Sequence, residues 1–169
     1  MKIFKRFYPD EYLDSTYNID FKKYYDKGYR GILFDIDNTL VPHGAKEDDR
    51  VIKLFEYLRK IGFKTCLISN NQEPRVKPFA DKLKTPYIYN AHKPSRKNYN
   101  KAFDILGTKK EETMFVGDQI FTDVYGANRV EMYTILVKPI HPKEEIQIVL
   151  KRYLEKIVLR TYKSELEKK

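Results

Sequence analysis

The sequence predicts an α/β fold in which helices cover a doubly wound, Rossmann-like parallel sheet of five strands. Short apolar runs alternate with amphipathic segments between residues 29 and 138, and each apolar run ends in polar side chains. Parallel sheets of this kind bind their ligands at the carboxyl ends of the strands. The polar residues that end these runs are therefore the candidates for a functional site.

The first strand is the segment around which the other elements are arranged. Ile32, Leu33 and Phe34 lead without interruption into Asp35, and Asp37 follows two positions later. An apolar run that stops abruptly at carboxylates is typical of a strand that is buried on both faces and opens into a site. A solvated turn is the alternative interpretation. A calcium loop is excluded, because the sixth position lacks glycine and the twelfth lacks glutamate.

The remaining elements follow in order along the chain. Helices are predicted over about residues 20–27, 48–61, 74–83, 95–106, 122–129 and 143–160, and further strands over residues 63–68, 87–89, 113–116 and 133–137. The aromatic N-terminal segment, residues 1–28, is expected to pack on this core. A membrane-facing role for Phe4, Phe7 and Tyr8 is the alternative. The whole chain, residues 1–169, is predicted to form one domain.

The final predicted helix carries a clear apolar stripe. Large apolar residues recur along it at helical spacing, and we expect this stripe to pack on the core rather than on a partner. The residues of the stripe are Ile146, Val149, Leu150, Tyr153, Leu154 and Ile157.

Composition narrows the class of protein. The single cysteine, Cys66, excludes a disulfide framework, and no apolar stretch approaches the roughly 20 residues of a membrane-spanning helix. The segment from Met1 to Asp10 is charged and has no apolar centre of the kind found in signal peptides. We therefore expect a cytoplasmic protein, whose membrane contact, if it has any, is peripheral and at the inner face.

Positive charge is concentrated in one part of the chain. The formal net charge is +9, and residues 59–101 contain eleven Lys and Arg but only Glu73 and Asp81. A concentrated positive field attracts anions, whether phosphorylated small molecules, nucleic acid or an anionic bilayer. A compositional bias of the organism is the alternative origin of this excess.

Four successive strand ends carry side chains that suit phosphoryl transfer. Two carboxylates at positions i and i+2 oppose each other's ionisation, which favours a bound cation or a division into an acid and a base. A hydroxyl and a lysine can hold phosphoryl oxygens, and further carboxylates can bind Mg²⁺. Because parallel strands end at one edge of a sheet, these residues are expected to converge. They are Asp35 and Asp37, Ser69 and Asn70, Lys93, and Asp118 with Asp123.

These segments resemble the four sequence motifs of the haloacid dehalogenase (HAD) superfamily of phosphatases. The matching stretches are DIDNTLV, LISN, HKPS and VGDQIFTD, which occur in the right order and each after a strand. The resemblance implies a HAD-like fold over about residues 29–138 and a Mg²⁺-dependent phosphatase. It implies that Asp35 is the nucleophile, which forms an aspartyl-phosphate, and a metal ligand. Asp37 would be the general acid and base and would offer its backbone carbonyl to the metal.

The same resemblance assigns the other residues of the site. Ser69 and Lys93 would bind the phosphoryl group, and Asn70 would assist the phosphate loop. Asp118 would be a metal ligand, and Asp123 would support the metal site.

A narrower resemblance concerns the substrate. The phrases YLDSTYNIDF and GDQIFTDVYGANR are similar to those of the YqeG-type phosphatases of HAD subfamily IIIA, which resemble phosphatidylglycerophosphatases. The gaps at residues 42–47 and 90–93 are too short for the cap domain that HAD enzymes of small metabolites commonly insert, although a partner subunit could act as a cap. An open site suits a lipid headgroup phosphate, with the basic residues 59–101 contacting an anionic membrane.

Two other functions stay open at this point. The first keeps the enzyme and changes its substrate to a soluble phosphate ester, such as a nucleotide or a sugar phosphate. The second is a basic module that binds RNA or ribosomes through a vestigial phosphate site. The intact motifs and the lack of a recognisable nucleic-acid module argue against the second, so no nucleic-acid partner is expected.

Overall fold

The computed structural model describes residues 2–141 and 146–168, and its centre is one parallel sheet. The six strands lie in the order β1-β6-β5-β2-β3-β4, and every neighbouring pair is parallel. They are β1 (Glu11–Leu13), β2 (Gly31–Phe34), β3 (Lys64–Ile68), β4 (Tyr87–Ile88), β5 (Thr113–Gly117) and β6 (Tyr133–Val137). The predicted α/β fold with a doubly wound parallel sheet is confirmed, but the sheet has one strand more than the five expected.

The additional strand is β1, which lies in the N-terminal segment. It is only three residues long and half-buried, and it pairs with β6 from Glu11↔Ile135 to Leu13↔Val137. Glu11 accepts hydrogen bonds from the hydroxyls of Tyr24 at 2.5 Å and Tyr133 at 2.7 Å. A strand this short, with a glutamate whose partners are distant in sequence, has no local pattern that predicts it.

Helices connect the strands and lie on both faces of the sheet. They are α1 (Phe21–Asp26), α2 (Asp49–Ile61), α3 (Glu73–Leu83), α4 (Arg96–Leu106), α5 (Tyr125–Asn128), which a π-helical turn (Ile120–Val124) precedes, and α6 (Ile146–Leu166). Asp20 and Asp48 begin α1 and α2, because each side chain accepts a hydrogen bond from a backbone N–H three residues on. The predicted start of the last helix at Lys143 lies outside the described residues.

The core is built around β2, whose four residues are all buried. Ile32 and Phe34 face one apolar cluster, which α1, α2 and α3 complete, while Leu33 faces a second cluster beneath α4 and α5. This alternation is what a strand covered on both faces requires, because successive side chains point to opposite faces. The residues that follow Phe34 are therefore held at the centre of the sheet's carboxyl edge.

The N-terminal aromatic residues pack on the protein. Phe4, Phe7 and Tyr8 are partly buried against a third apolar cluster, and the ring of Phe7 lies 5.3 Å from that of Phe121 and 4.8 Å from that of Tyr125. This packing follows the core interpretation of the segment rather than the membrane-facing alternative. Within residues 2–141 and 146–168, no helix combines the length and the apolarity that a membrane crossing requires.

The prediction for the apolar stripe of α6 is wrong. Val149, Leu150, Tyr153, Leu154 and Ile157 are 43–69% exposed, and the side chain of Ile146 lies outside the described part. The helix instead packs through a different face, whose buried members are Glu155, Val158 and Tyr162. This face combines Val158, which belongs to the third apolar cluster, with charged residues that bond to groups at the end of β5.

Candidate active site

Asp35 lies at the carboxyl end of β2, where a tight turn brings a threonine beside it. The backbone N–H of Leu40 donates to the carbonyl of Ile36 at 2.9 Å, so the chain doubles back after the strand. The hydroxyl of Thr39 consequently lies 3.1 Å from Oδ2 of Asp35 and 3.1 Å from Oδ1 of Asp118. Thr39 therefore links the carboxylates at the ends of β2 and β5.

Lys93, which follows β4, bonds both to Asp35 and to Asp123 in the π-helical turn after β5. Its Nζ donates to Oδ1 of Asp35 at 2.7 Å and to Oδ1 of Asp123 at 2.6 Å, and the side chain is only 4% exposed. Burial alone would lower the pKa of Lys93, but the carboxylates of Asp123 and Asp35 outweigh this effect and raise it. Lys93 is therefore a permanent cation beside Asp35.

Asp123 closes the loop that follows β5. Its Oδ2 accepts hydrogen bonds from the backbone N–H groups of Asp118 at 3.2 Å and Gln119 at 3.1 Å. Gly117 makes this approach feasible, because a Cβ at that position would lie 2.6 Å from Oδ2 of Asp123. The π-helical turn is held in place by Tyr99, whose hydroxyl donates to the carbonyl of Thr122 at 2.8 Å.

Three buried carboxylates lie close enough together to hold one metal ion. One oxygen each of Asp35, Asp118 and Asp123 lies within 4.8 Å of the others. Burial raises the pKa of Asp35 to about 6 although Lys93 opposes the rise, and burial next to Asp35 raises that of Asp118 well above its ordinary value. The neighbouring cations thus compensate the negative charge only in part. Buried carboxylate oxygens are hard donors that Mg²⁺ prefers, so this donor set fits a divalent cation.

Asp37 has a separate set of partners. Its Oδ1 accepts from the backbone N–H of Gly44 at 2.7 Å and from Arg75 at 3.0 Å, and its Oδ2 accepts from Asn71 at 2.6 Å. The Asp37 carboxylate is not one of the three that form the metal cluster. The expected metal contact through its backbone carbonyl is a separate point and stays a prediction. These three donors fix the carboxylate two residues beyond Asp35.

Ser69 and Asn70 follow β3 and form the next part of the site. Ser69 is 2% exposed, and its Oγ accepts a hydrogen bond from the backbone N–H of Asn71 at 3.1 Å. The Oδ1 of Asn70 accepts from the backbone N–H of Lys93 at 2.7 Å, so the Asn70 side chain positions the segment that carries the lysine. Because the Ser69 oxygen accepts this bond through a lone pair, its O–H group remains able to donate to an anion in the cleft.

These residues line a cleft of about 290 Å³ at the carboxyl edge of the sheet. The five predicted residues that follow β2, β3 and β4 all line it. Asp118 and Asp123 are not among its lining residues and are linked to Asp35 through the hydrogen bonds of Thr39 and Lys93. Further walls come from residues that the sequence did not single out as functional: His43, Asn71, Gln119, Thr122, Ile148 and Lys151. Between β2 and α2 there are only residues 35–48, so no domain covers the cleft there.

Helix α6 contributes a charged pair to the site that sequence reasoning missed. Arg152 donates to the carboxylate and the backbone carbonyl of Asp118 and to Oε2 of Glu155 at 2.9 Å. Oε1 of Glu155 accepts from the backbone N–H of Ile120 at 2.7 Å. The only signal in the sequence is the i,i+3 spacing of two opposite charges among apolar residues, which is also typical of an exposed ion pair. Asn71 and Arg75, the side chains that bond to Asp37, had no signal in the sequence either.

The fold and the site together define an enzyme class. A doubly wound sheet presents a buried aspartate, a second aspartate, a serine, a lysine and a further acidic pair at adjoining strand ends, which is the arrangement of a hydrolase with an acidic catalytic centre. The model of the haloacid dehalogenase-like hydrolase family matches residues 43–130. The chain is also 38% identical over 160 residues to "Probable phosphatase YqeG" of Bacillus subtilis, covering 94% of this chain and 93% of that protein. The chain therefore belongs to the haloacid dehalogenase-like hydrolase family.

Other similarities are narrower. A 66-residue stretch is 33% identical to glyceraldehyde 3-phosphate phosphatase of Pyrococcus furiosus, covering 39% of this chain and 27% of that protein. A single-mutant thermostable NPPase from Geobacillus stearothermophilus has a similar structure, with a TM-score of 0.53 at 14% identity over 70% of this chain and 94% of that one. An uncharacterized protein from Corynebacterium glutamicum has a TM-score of 0.54 at 17% identity, covering 76% of this chain and 94% of that one. The two structures show a shared fold alone.

Proposed function

We propose that the protein is a Mg²⁺-dependent phosphomonoesterase that acts through an aspartyl-phosphate formed on Asp35. The observation that carries the proposal is the environment of this carboxylate at the cleft. Lys93 Nζ lies 2.7 Å from one of its oxygens, and Thr39 Oγ1 lies 3.1 Å from the other. An aspartate held in one orientation beside a buried cation is suited to attack a phosphoryl group and to share its charge afterwards.

The chemistry divides into two steps. In the first, an oxygen of Asp35 attacks phosphorus, the bond from phosphorus to the ester oxygen breaks, and Asp37 donates its proton to that oxygen. In the second, Asp37 takes a proton from water, the water oxygen attacks phosphorus, and the bond to Asp35 breaks as inorganic phosphate leaves. Ser69 and Lys93 hold the phosphoryl oxygens throughout, because both line the cleft beside Asp35.

The metal ion would be held by Asp35 and Asp118, with Asp123 in support. When bound, Mg²⁺ supplies positive charge that offsets the nucleophile and the phosphoryl oxygens. Asp123 suits a supporting role, since its two oxygens already accept from Lys93 and from the backbone N–H groups of Asp118 and Gln119.

Asp37→Asn tests the acid and base role. Asparagine keeps the shape of the side chain but neither gives nor takes a proton, so we expect kcat to fall by about 10²–10⁴-fold. A good leaving group such as nitrophenolate needs little protonation. With a nitrophenyl ester, the variant should therefore form the phospho-enzyme at closer to the wild-type rate, while the rate of phospho-enzyme breakdown should stay equally reduced. Rapid-quench measurement of the phospho-enzyme separates the two steps. A variant with wild-type kcat on a poor leaving group would contradict the role, and the exposed Asp81→Asn serves as the control.

A phosphate on a lipid headgroup, such as that of phosphatidylglycerophosphate, is the substrate that we propose. Two observations support this substrate. The connection between β2 and α2 is short and leaves the cleft open on that side. The chain also resembles YqeG-type phosphatases of subfamily IIIA. A large substrate can place its phosphate in such a cleft without being enclosed. Peripheral contact with the inner face of an anionic membrane would follow from this substrate.

The basic stretch, residues 59–101, is a weaker candidate for the membrane contact than its charge suggests. Arg75 bonds to Asp37, Lys93 to Asp35 and Asp123, and Lys77 to Asp81. These cations are already used within the protein. Membrane binding through this stretch stays a prediction.

A soluble phosphate ester is the second candidate, and the partial similarity to a glyceraldehyde 3-phosphate phosphatase favours it. A substrate panel decides between the two. We expect kcat/KM for phosphatidylglycerophosphate in mixed micelles to exceed that for glyceraldehyde 3-phosphate and nucleotides by about 10²-fold or more. The reverse ranking would establish the soluble substrate. Failure to hydrolyse any phosphate ester, aryl phosphates included, would favour a binding module instead.

A further inference from the structure

Helix α6 presents an apolar face to solvent. Of the nine large apolar side chains that are exposed in the described part of the chain, six belong to α6, and five of these occur within nine consecutive residues. Leu150, Tyr153, Leu154 and Ile157 are 67%, 69%, 57% and 52% exposed. Their spacing places them on one side of the helix, and the buried Glu155 lies on the opposite side. Concentrated exposed apolar surface marks a site of interaction.

Basic side chains border this face. Lys151, Lys156 and Arg160 are exposed, and the ammonium group of Lys156 lies 5.1 Å from the centre of the Tyr153 ring. The acidic residue of this part of the helix, Glu155, is turned inward and bonded to Arg152 and to the backbone of Ile120. The outer side of α6 from residue 149 to residue 160 therefore combines apolar side chains with positive charge alone.

The face lies next to the candidate active site. Ile148 and Lys151, in the first turns of α6, line the cleft that contains Asp35. Val149 and Leu150, which lie between these two residues in sequence, are exposed. A surface that covers the apolar face of α6 would thus adjoin the mouth of the cleft.

We propose that α6 docks the protein on an anionic lipid bilayer, with its exposed apolar side chains entering the boundary between headgroups and acyl chains. The occupant follows from charge complementarity. A helix with an apolar face and a basic border has the composition of an interfacial membrane helix, because the apolar side chains gain burial and the cations gain anionic headgroups. A second copy of the chain would bring a second basic border of the same sign, which opposes pairing.

Docking also has a consequence for catalysis, and this consequence rests on the proposed function. The cleft would lie at the level of the headgroups, so the phosphate of a lipid reaches Asp35 while its acyl chains remain in the bilayer. The docking itself does not depend on turnover and can be measured without it.

The test compares two sets of substitutions in the full chain. The first variant carries Leu150→Ser, Leu154→Ser and Ile157→Ser, which remove apolar contact without touching the cleft. The matched control carries Tyr57→Ser, Tyr89→Ser and Ile105→Ser, which remove exposed large apolar side chains elsewhere. A third variant, Lys156→Gln with Arg160→Gln, removes two of the three basic residues of the border and keeps Lys151, which lines the cleft. Co-sedimentation is measured with vesicles of phosphatidylcholine, with and without phosphatidylglycerol, at low and high salt.

We expect the wild type and the matched control to bind the anionic vesicles and to be released by salt. The serine variant should bind about tenfold more weakly or worse, and the glutamine variant should show a smaller preference for anionic vesicles than the wild type. Unchanged hydrolysis of an aryl phosphate by every variant shows that the folds are intact. Failure of the wild type to bind, or equal binding by the serine variant, would overturn the proposal.

Two further outcomes keep this proposal distinct from the others. If the wild type is a dimer that ignores vesicles and the serine variant is a monomer, the face is an interface between copies and the proposal is wrong. If vesicle binding depends on α6 but no phosphate ester is hydrolysed, docking stands and the proposed function fails. Circular dichroism of each variant then replaces hydrolysis as the measure of folding.

Discussion

Asp35→Asn is expected to reduce turnover by about 10⁴-fold or more, because the amide is a poor nucleophile and cannot form the aspartyl-phosphate. The side chain keeps its size, so the cleft and the hydrogen bond to Thr39 can be retained. Lys93 keeps Asp123 as a partner at 2.6 Å. Steady-state hydrolysis of an aryl phosphate measures the effect, and trapping of the labelled phospho-enzyme after denaturation should succeed for the wild type only. Retention of most of the wild-type rate would exclude Asp35 as the nucleophile.

The same variant should be at least as stable as the wild type when no metal is present. The pKa of Asp35 is raised from 3.8 to about 6, chiefly by burial, so its carboxylate costs stability. Because the folded pKa is the higher one, the favourable protonated state is fully present below pH 3.8 and is lost as the pH rises through about 6. Asparagine is neutral throughout, and a shift of this size corresponds to up to about 3 kcal/mol at pH 7.

Urea unfolding in excess chelator at pH 5 and pH 7 measures this difference. The wild type should lose more stability between the two values than the asparagine variant does. The exposed Asp104→Asn is the matched control, and its pH dependence should follow that of the wild type. A variant that is markedly less stable than the wild type at pH 7 would show that the Asp35 charge is needed for folding.

The sequence was informative where the structure is locally determined. The run of residues 32–34 predicts a central strand because burial on both faces demands apolar residues at every position. Because parallel strands all end at the same edge of a sheet, the strand order alone predicts that Asp35, Ser69 and Lys93 lie together, and their individual contacts need not be known. Strand β1 was not predicted, because its three residues are held by pairing with β6 and by hydrogen bonds from Tyr24 and Tyr133 to Glu11.

The sequence was misleading where the partner of a face decides the outcome. The spacing of Leu150, Tyr153 and Ile157 correctly indicates an apolar face on α6, but amphipathicity does not specify what covers it. A different face packs on the protein, where Val158 joins an apolar cluster. On the same face, Arg152 bonds to the carboxylate of Asp118, and Glu155 accepts from the backbone N–H of Ile120. These contacts depend on how two distant elements meet, so no local pattern predicts them.

Removal of divalent metal is expected to reduce hydrolysis by about 10³-fold or more, with recovery on addition of Mg²⁺. The carboxylates of Asp35, Asp118 and Asp123 are buried together, and Lys93 and Arg152 offset their charge only in part. A phosphate dianion that enters this site adds further negative charge, which needs a cation to balance it. Full activity in excess chelator would refute the metal requirement.

Asp118→Asn distinguishes a metal ligand from a merely structural residue. The amide leaves one carboxylate fewer for the metal, so the Mg²⁺ concentration that gives half-maximal activity should rise about tenfold or more, while KM for the phosphate ester changes less. Binding can also be followed without turnover, because a ligand of the folded state raises stability by about 2.7 kcal/mol at a hundred times its Kd. The Mg²⁺-dependent gain in unfolding free energy should therefore shrink for Asp118→Asn and persist for Asp104→Asn. An equal gain in both variants would exclude Asp118 as a ligand, since loss of its bonds to Arg152 and Thr39 alters stability at every Mg²⁺ concentration alike.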